Sequence, residues 1–521
     1  MIAALNIGFG IALLAAAWLL PRRVARARLG FAPALVIDAA PFVTGFLVLT
    51  LASARPLFAG LVIFALGAGF TLADLTMRKA LREPVVFQAV SELPQVFTHP
   101  QLYLPYAGPA LVVGGALAMV AVALGLLVFT PAIWPPMPFL ALAWFAAIIA
   151  GFWLFSRQPM LGRLADLFRH LPISGDPDKD AATLGPFAML VVHCALARDE
   201  RAERQHTLRP RAVPTIMRGL AGSGSPIVLV QCESFFDARR LTSALPRALL
   251  PGFEACCTSA AYYGRLKVPG WGANTMRSEF AVLTGISEDE LGFDRFNPYY
   301  ALARVPVASH VWRLRQAGYR TICLHPFSSR FFRRDLVMPA LGFDLFLGRD
   351  VLGGAKAPPY QSDPDLARQV LEVIDGEGPR CFVFVITMGN HGPWSPGKRP
   401  LDEMVTECLD PSAVPAGGEL LRYLDGLRRS DEMLRILMSG LAERDPDALL
   451  GFYGDHLPSL PLVFDHFGFS EPHSDYAIWS GRSGAPQRLD LPAHQLGNTL
   501  LTLALDGRSE VAQRERVRLI G

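Results

Sequence analysis

VLVQCES, residues 228–234, joins an apolar run of strand length to a carboxylate, Glu233. The same arrangement occurs in GFYGDHLP, residues 451–458, where a strand-like run ends in a glycine before Asp455 and His456. It occurs again in TMGNHGPW, residues 387–394, where His391 follows an apolar run. An open α/β sheet presents its ligands in the crevice at the carboxyl ends of its strands. These fragments therefore predict an α/β domain with a functional site at one edge of its sheet.

Strand-like and helix-like runs alternate along the chain from Pro226 onward. The predicted strands are Ile227–Cys232, Tyr262–Lys267, Arg320–Leu324, Cys381–Thr387 and Leu449–Tyr453. The predicted helices are Pro306–Ala317, Asp365–Ile374 and Leu420–Leu441. Such alternation favours a mixed, largely parallel sheet flanked by helices.

The chemistry of the fragments suits a divalent cation that activates an oxygen nucleophile. Glu233, Asp455 and His456 offer two carboxylates and an imidazole, and GWGANTMRSEF, residues 270–280, adds the hydroxyl of Thr275. A bound cation would stabilise the alkoxide of that threonine. The ligand types suit Mn²⁺, Mg²⁺ or Zn²⁺ and do not choose among them.

Each group also has a structural alternative. Glu233 resembles a carboxylate that satisfies the amides of a helix N-terminus, and Asp455 with His456 resembles a hydrogen-bonded turn. Thr275 is compatible with an N-cap for the helix that begins at Met276, a position that would also aim helix amides at an incoming phosphate.

Three further residues are candidates for binding a phosphate group. His391 could donate a hydrogen bond to a phosphoryl oxygen or protonate a leaving group. Arg334, in HPFSSRFFRRD at residues 325–335, offers a phosphate clamp with Phe332 as an aromatic neighbour. The alternatives are a structural histidine and a solvated arginine pair.

The first third of the chain is dominated by long apolar runs. Each is near the ~20 residues needed to cross a ~30 Å hydrocarbon core. The predicted spans are Ala3–Leu20, Phe31–Ala54, Leu57–Ala73, Gly108–Trp134 and Met137–Phe155. We therefore divide the chain into a transmembrane domain, a linker with an interfacial helix, and a catalytic domain, at residues 1–156, 157–221 and 222–521.

Basic residues give a prediction of orientation. Arginine and lysine follow the first, third and fifth spans. The positive-inside rule would place those segments, and the soluble domain with them, in the cytoplasm.

Composition excludes some classes of function. A net charge of +3 is too small to indicate a nucleic-acid partner. The seven cysteines are odd in number and include no CxxC pair, so neither a zinc ribbon nor a disulfide framework is indicated.

In order and spacing, the motifs resemble the lipoteichoic acid synthase-like, phosphoglycerol transferase branch of the alkaline phosphatase–sulfatase superfamily. The motifs that carry the resemblance are ES at Glu233, T-x-x-x-E-x-x-x-L-T-G from Thr275 to Gly285, HGPW from His391, and YGDH ending at His456. The resemblance covers nearly the whole chain and implies about five membrane spans before a sulfatase-like α/β domain.

The resemblance also implies a role for each site residue. Glu233, Thr275, Asp455 and His456 would bind one divalent metal, usually Mn²⁺. Thr275 would attack a phospholipid head group, with phosphatidylglycerol as the expected donor, and form a phospho-threonine intermediate. His391, Arg334 and Phe332 would hold the head group; family members often have tryptophan at the position of Phe332.

The expected acceptor is a cell-envelope glycan or polymer. The family implies a multi-pass protein of the inner or plasma membrane whose catalytic domain lies on the periplasmic or extracellular side, against the arginine distribution. Alternatives are a phosphoethanolamine transferase, a hydrolytic phosphodiesterase, or an inactive envelope scaffold. A sulfatase is disfavoured because no cysteine stands in a C-x-P-x-R context.

Overall fold

The computed structural model describes residues 2–30, 32–210, 224–302, 305–352, 361–395, 397, 400–482 and 485–506. The chain forms two compact units. The first comprises Met1–Glu203 with Gly292–Phe296, and the second comprises Arg204–Leu291 with Asn297–Gly521. Residues 157–203 thus group with the spanning helices, while the separate linker domain stays a prediction.

The first unit is helical. Its helices are α1 (Ile2–Val24), α2 (Ala32–Ser53), α3 (Pro56–Leu81), α4 (Leu93–Thr98), α5 (Leu104–Ala107), α6 (Pro109–Phe129), α7 (Pro138–Phe155), α8 (Met160–Arg169), α9 (Pro177–Leu184) and α10 (Pro186–Thr207). Among the described residues, α1, α2, α3, α6 and α7 are long and apolar enough to cross a membrane. The prediction of five apolar spans is confirmed.

A buried carboxylate, Asp38 of α2, links the spanning helices to α10. One of its oxygens accepts hydrogen bonds from Trp18 Nε1 (2.8 Å) and Arg22 Nη1 (2.6 Å). The other accepts the backbone N–H groups of Phe187 (2.8 Å) and Ala188 (3.1 Å), in the first turn of α10. A carboxylate at a helix N-terminus satisfies amides that the helix itself cannot, so Asp38 fastens α10 to α1 and α2.

The second unit is built on a mixed sheet. Its strands are β1 (Ile227–Cys232), β2 (Ala260–Lys267), β3 (Arg320–Leu324), β4 (Leu345–Leu347), β5 (Cys381–Ile386), β6 (Leu449–Gly454), β7 (His473–Ser480), β8 (Gln487–Arg488) and β9 (Leu491–Pro492). The strand order is β4-β3-β5-β1-β6-β7-β2-β8, and β9 pairs with β2. From β4 to β6 the pairs are parallel, and β7 is antiparallel to both β6 and β2. The predicted α/β class, with a mixed and largely parallel sheet, is confirmed.

Helices cover the sheet. They are α11 (Pro251–Ser259), α12 (Thr275–Thr284), α13 (Glu288–Leu291), α14 (Pro298–Leu302), α15 (His310–Gln316), α16 (Arg334–Leu341), α17 (Arg349–Leu352), α18 (Asp363–Glu377), α19 (Glu403–Cys408), α20 (Gly417–Arg444), α21 (Pro461–Phe467) and α22 (Ala493–Asp506). Two apolar clusters lie on opposite faces of the sheet. Val228 and Val230 of β1 enter one cluster, and Ile227 and Leu229 enter the other. This alternation, with both faces buried, explains why apolar residues dominate the central strands and do not alternate with polar ones.

One predicted helix start is wrong. The sequence suggested a helix from Pro306, but α15 begins at His310 because Ser309 is its N-cap. The Ser309 hydroxyl accepts the backbone N–H of Trp312 at 3.1 Å, which satisfies an amide at the start of the helix. The predicted helices at Asp365–Ile374 and Leu420–Leu441 lie inside α18 and α20. The seven cysteines are free thiols.

Candidate metal and nucleophile site

The candidate site lies at the carboxyl edge of the parallel strands. Glu233 directly follows β1, and Asp455 directly follows β6. These two strands are neighbours in the sheet and pair in parallel. Parallel neighbours end at the same edge, so the two carboxylates come together there although they are 222 positions apart in the chain.

Three potential ligand groups converge. One ligand atom from each of Glu233, Asp455 and His456 lies within 4.8 Å of the others, and all three residues are buried. His456 Nε2 is 3.3 Å from Asp455 Oδ2 and 3.5 Å from Glu233 Oε1. The hydroxyl oxygen of Thr275 is also 3.5 Å from His456 Nε2. The structure therefore brings together the four residues that the sequence predicted as metal ligands.

Hydrogen bonds orient these groups toward one point. His456 Nδ1 donates to the carbonyl oxygen of Leu457 at 2.9 Å, which leaves Nε2 with its lone pair toward the carboxylates. Asp455 Oδ1 accepts the backbone N–H groups of Ser234 (2.8 Å) and His456 (2.9 Å). Asp455 Oδ2 is buried and has no hydrogen-bond partner among the described residues. Such an orphaned oxygen is rare in folded proteins, and a cation would satisfy it.

The electrostatics of the cluster also fit a cation. Burial raises the pKa of Glu233 to about 8, and the charge of Asp455 adds to the rise. Two buried carboxylates repel each other unless a proton or a cation lies between them. Hard oxygens with one imidazole suit a divalent metal such as Mn²⁺, Mg²⁺ or Zn²⁺. The residues present therefore fit one divalent ion.

Thr275 is the first residue of α12, not its N-cap. The N-cap is Asn274, which has a left-handed backbone (φ +69°) and makes no side-chain cap hydrogen bond. The alternative of Thr275 as a capping residue is therefore wrong, and its hydroxyl is left to face His456. Thr275 is buried, and its helix is held in place by Ser278, whose hydroxyl donates to the Asp455 carbonyl at 2.5 Å.

His391 lies in the loop that follows β5, the strand beside β1 on the side away from β6. Its Nδ1 donates to the carbonyl oxygen of Gly392 at 2.5 Å, and burial lowers the pKa of the imidazole. The loop is fixed to β1 because the Thr387 hydroxyl accepts the backbone N–H of Glu233 at 2.9 Å. His391 thus follows a strand at the same edge as the ligand cluster, and its role in binding a head group stays a prediction.

Arg334 is fully buried and already paired. Its Nε and Nη2 donate to the two carboxylate oxygens of Glu279 at 3.1 and 2.8 Å. Its guanidinium lies 5.3 Å from the ring centre of Phe332, which has a left-handed backbone (φ +52°). The proximity of Arg334 and Phe332 that the sequence suggested is present. The alternative of a solvated arginine is wrong, and the phosphate clamp remains a prediction.

His325 is a site residue that the sequence analysis missed. It directly follows β3 and is completely buried. Its Nε2 accepts a hydrogen bond from Arg334 Nη1 at 3.1 Å, and its Nδ1 donates to the Ile386 carbonyl at 3.3 Å. Burial and the neighbouring Arg334 charge both lower its pKa. The signal was available, because His325 follows a predicted strand as Glu233 and Asp455 do.

Comparison with known proteins agrees with this geometry. The sulfatase family model matches residues 226–503, more than half of the chain. The capsular polysaccharide biosynthesis protein RkpI of Rhizobium meliloti (strain 1021) is 30% identical over 439 residues, which are 81% of this chain and 77% of that protein.

A solved structure shares the fold over both units. The integral membrane protein lipooligosaccharide phosphoethanolamine transferase A from Neisseria meningitidis superposes with a TM-score of 0.53 at 13% identity. The superposition covers 97% of this chain and 95% of that chain. With its sheet, its strand-end site and its five apolar helices, the chain belongs to the sulfatase family of the alkaline phosphatase superfamily.

Proposed function

We propose that this integral membrane protein is a metal-dependent transferase. It would move a phosphoglycerol group from a phospholipid, phosphatidylglycerol, to a cell-envelope glycan or polymer through a phospho-threonine intermediate. The observation that carries the proposal is the orphaned Asp455 Oδ2 in a buried cluster with Glu233, His456 and the Thr275 hydroxyl. The similarity to a capsular polysaccharide biosynthesis protein supports a glycan acceptor.

The chain's own residues would divide the reaction between them. Glu233, Asp455, His456 and Thr275 would hold one divalent ion, which supplies Lewis-acid stabilisation of the threonine alkoxide and of the phosphoryl oxygens. The Thr275 hydroxyl would lose its proton to solvent, and Oγ1 would form a bond to phosphorus while the diacylglycerol oxygen leaves and takes a proton. Because the Nδ1 proton of His391 is held by the Gly392 carbonyl, this residue would supply a proton or a hydrogen bond from Nε2 only as the imidazolium. An acceptor hydroxyl would lose its proton and attack the same phosphorus next, and the Thr275 oxygen would leave and take up a proton.

We further propose that the catalytic domain lies on the outer face of the membrane. Five membrane crossings would put the residues before α1 and the residues after Phe155 on opposite faces. A lipid head group and an envelope acceptor are both accessible on the outer face. The basic residues that follow α1, α3 and α7 favour the opposite orientation.

The function is tested with the full-length protein in detergent. Labelled phosphatidylglycerol and Mn²⁺ are added, and diacylglycerol and phosphorylated Thr275 are measured by chromatography and mass spectrometry. We expect Thr275→Ala to abolish both products, while Thr258→Ala, an exposed threonine of α11, retains them. If Thr275→Ala turns over the lipid at the parent rate, Thr275 is not the nucleophile. If phosphatidylethanolamine is turned over in preference to phosphatidylglycerol, the transferred group is phosphoethanolamine and not phosphoglycerol.

A further inference from the structure

A buried polar network lies beneath the candidate site. It consists of six side chains that are almost or completely excluded from solvent: Gln231, Glu279, Tyr299, His325, Arg334 and Tyr453. None of them is a predicted metal ligand; Arg334 was singled out in the sequence, and Glu279 and Tyr453 are letters of the motifs that carry the family resemblance. Buried polar groups are costly unless every member is satisfied, so a network of this size calls for a role.

The network begins at the two strands that carry the carboxylates. Gln231 of β1 and Tyr453 of β6 are paired residues in the sheet, each two positions before a candidate ligand. The Tyr453 hydroxyl donates to Gln231 Oε1, and Gln231 Nε2 donates to Glu279 Oε2 at 3.0 Å. The first bond fixes the orientation of the Gln231 amide and thereby directs its N–H to Glu279.

Glu279 is the centre of the network. Its carboxylate accepts hydrogen bonds from Gln231, from the Tyr299 hydroxyl and from two nitrogens of Arg334. Glu279 also lies on α12, four residues after Thr275. Residues at this spacing lie on the same face of a helix. One rigid turn of helix therefore joins the candidate nucleophile to the carboxylate that holds Arg334.

Arg334 has donors left for a substrate. A guanidinium carries five N–H groups. Nε and Nη2 each use one on Glu279, and Nη1 uses one on His325. Two N–H groups remain outside these bonds. A guanidinium held on its far side by a carboxylate presents its other donors in a fixed direction, which suits an anion such as a phosphate.

We propose that Glu279 is a positioning residue that fixes Arg334, and through it a bound phosphoryl group, relative to Thr275. The proposal rests on the proposed function for the identity of the anion. Stability alone does not explain the arrangement, because apolar residues of similar volume often replace a buried ion pair without loss. A preorganised donor, by contrast, must be held by the residues behind it.

The test uses the full-length protein with Mn²⁺ and inorganic phosphate as the probe. Glu279→Gln keeps the shape of the side chain and removes its charge. We expect its phosphate dissociation constant to rise about tenfold or more, since hydrogen bonds to charged groups are the strong ones. The value of kcat/KM for phosphatidylglycerol should fall with it. Tyr299→Phe is the matched control, because it removes one donor to Glu279 and leaves Arg334 untouched.

A second variant separates positioning from stability. The double variant Gln231→Glu, Glu279→Gln exchanges the amide and the carboxylate that share one hydrogen bond. The pair then has the same total number of hydrogen-bond donors and acceptors as in the parent. We expect its melting temperature to return toward that of the parent, while phosphate binding stays weak because Arg334 no longer contacts the charge. Phosphate binding within twofold of the parent in either variant overturns the proposal. So does failure of both variants to fold, which would make Glu279 a structural residue.

Failure of the proposed function gives a different pattern. If the parent binds phosphate but does not turn over lipid, the proposed transferase activity is wrong. The phosphate affinity of Glu279→Gln would still show whether Glu279 positions Arg334. A parent that binds no phosphate overturns the positioning role, since Arg334 would then have no anion to orient.

Discussion

Asp455 is a side chain that suits metal binding but lowers the stability of the metal-free protein. Its Oδ1 is satisfied by two backbone amides, whereas its buried Oδ2 has no partner among the described residues. The neighbouring Glu233 has a raised pKa partly because of the Asp455 charge. Without a cation, this corner of the protein should therefore be electrostatically strained.

We expect Asp455→Asn to separate stability from metal binding. The amide oxygen still accepts the two backbone N–H groups, and the repulsion with Glu233 disappears. In chelator, the variant should melt at or above the temperature of the parent. Mn²⁺ at 100 times its Kd should stabilise the parent by about 2.7 kcal/mol and leave the variant unchanged. Thermal unfolding with and without Mn²⁺ measures both effects.

The control for this experiment is Asp375→Asn, an exposed carboxylate paired with Arg444 on the surface. It should respond to Mn²⁺ as the parent does. An Asp455→Asn variant that Mn²⁺ still stabilises fully would contradict a cation site at this cluster.

Single residues were predictable where a local rule applied to them. Glu233, Asp455, His456 and His391 follow predicted strands, and the strand-end rule found them. The same rule applied to His325 would have found it too. The partner of Arg334 could not be found in this way, because Glu279 lies 55 residues earlier and only the folded chain brings them together.

The stability of α12, which carries Thr275, depends on the residue that ends the helix. Gly285 follows α12 as its C-cap and has a left-handed backbone (φ +75°). A Cβ at this position would lie 3.0 Å from Nε2 of the buried His310. Both the backbone conformation and the available space therefore require glycine.

We expect Gly285→Ala to lower the free energy of unfolding by about 1–2 kcal/mol, the usual cost of a left-handed backbone with a side chain. The matched control is Gly376→Ala in α18, where an added Cβ meets nothing within 4 Å. That change should stabilise the protein by up to about 1 kcal/mol, because alanine loses less entropy in a helix. Thermal unfolding compares the two, and equal effects would contradict the argument.

Strands were predictable when they were buried on both faces. β1, β3, β5 and β6 are dominated by apolar residues and were placed to within one residue. β7 was missed because its sequence, HSDYAIWS, mixes polar with apolar residues although most of it is buried. β4, β8 and β9 have only two or three residues each, too few for a periodic pattern.

For the whole molecule, the orientation of α7 decides which face of the membrane carries the catalytic domain. Ser412 lies in the exposed part of that domain, and Ala132 lies in the exposed link between α6 and α7. Because α7 is one span, the two positions should lie on opposite sides of the membrane. The orientation of the protein in the membrane can therefore be measured by labelling a cysteine at either position.

We expect Ser412→Cys to react with a membrane-impermeant maleimide on intact cells, and Ala132→Cys to react only after lysis. The background should replace the three partly buried cysteines, Cys194, Cys257 and Cys408, with serine. The opposite pattern would place the catalytic domain in the cytoplasm, as the basic residues predict, and would exclude envelope acceptors.

The free cysteines have a consequence for how the protein responds to oxidation. Cys232, Cys256, Cys323 and Cys381 are buried, and burial raises the pKa of each thiol. Thiolate is the form that oxidises, so these groups should stay inert even in an oxidising compartment. In the folded chain, oxidation should therefore be confined largely to the three partly buried thiols, Cys194, Cys257 and Cys408.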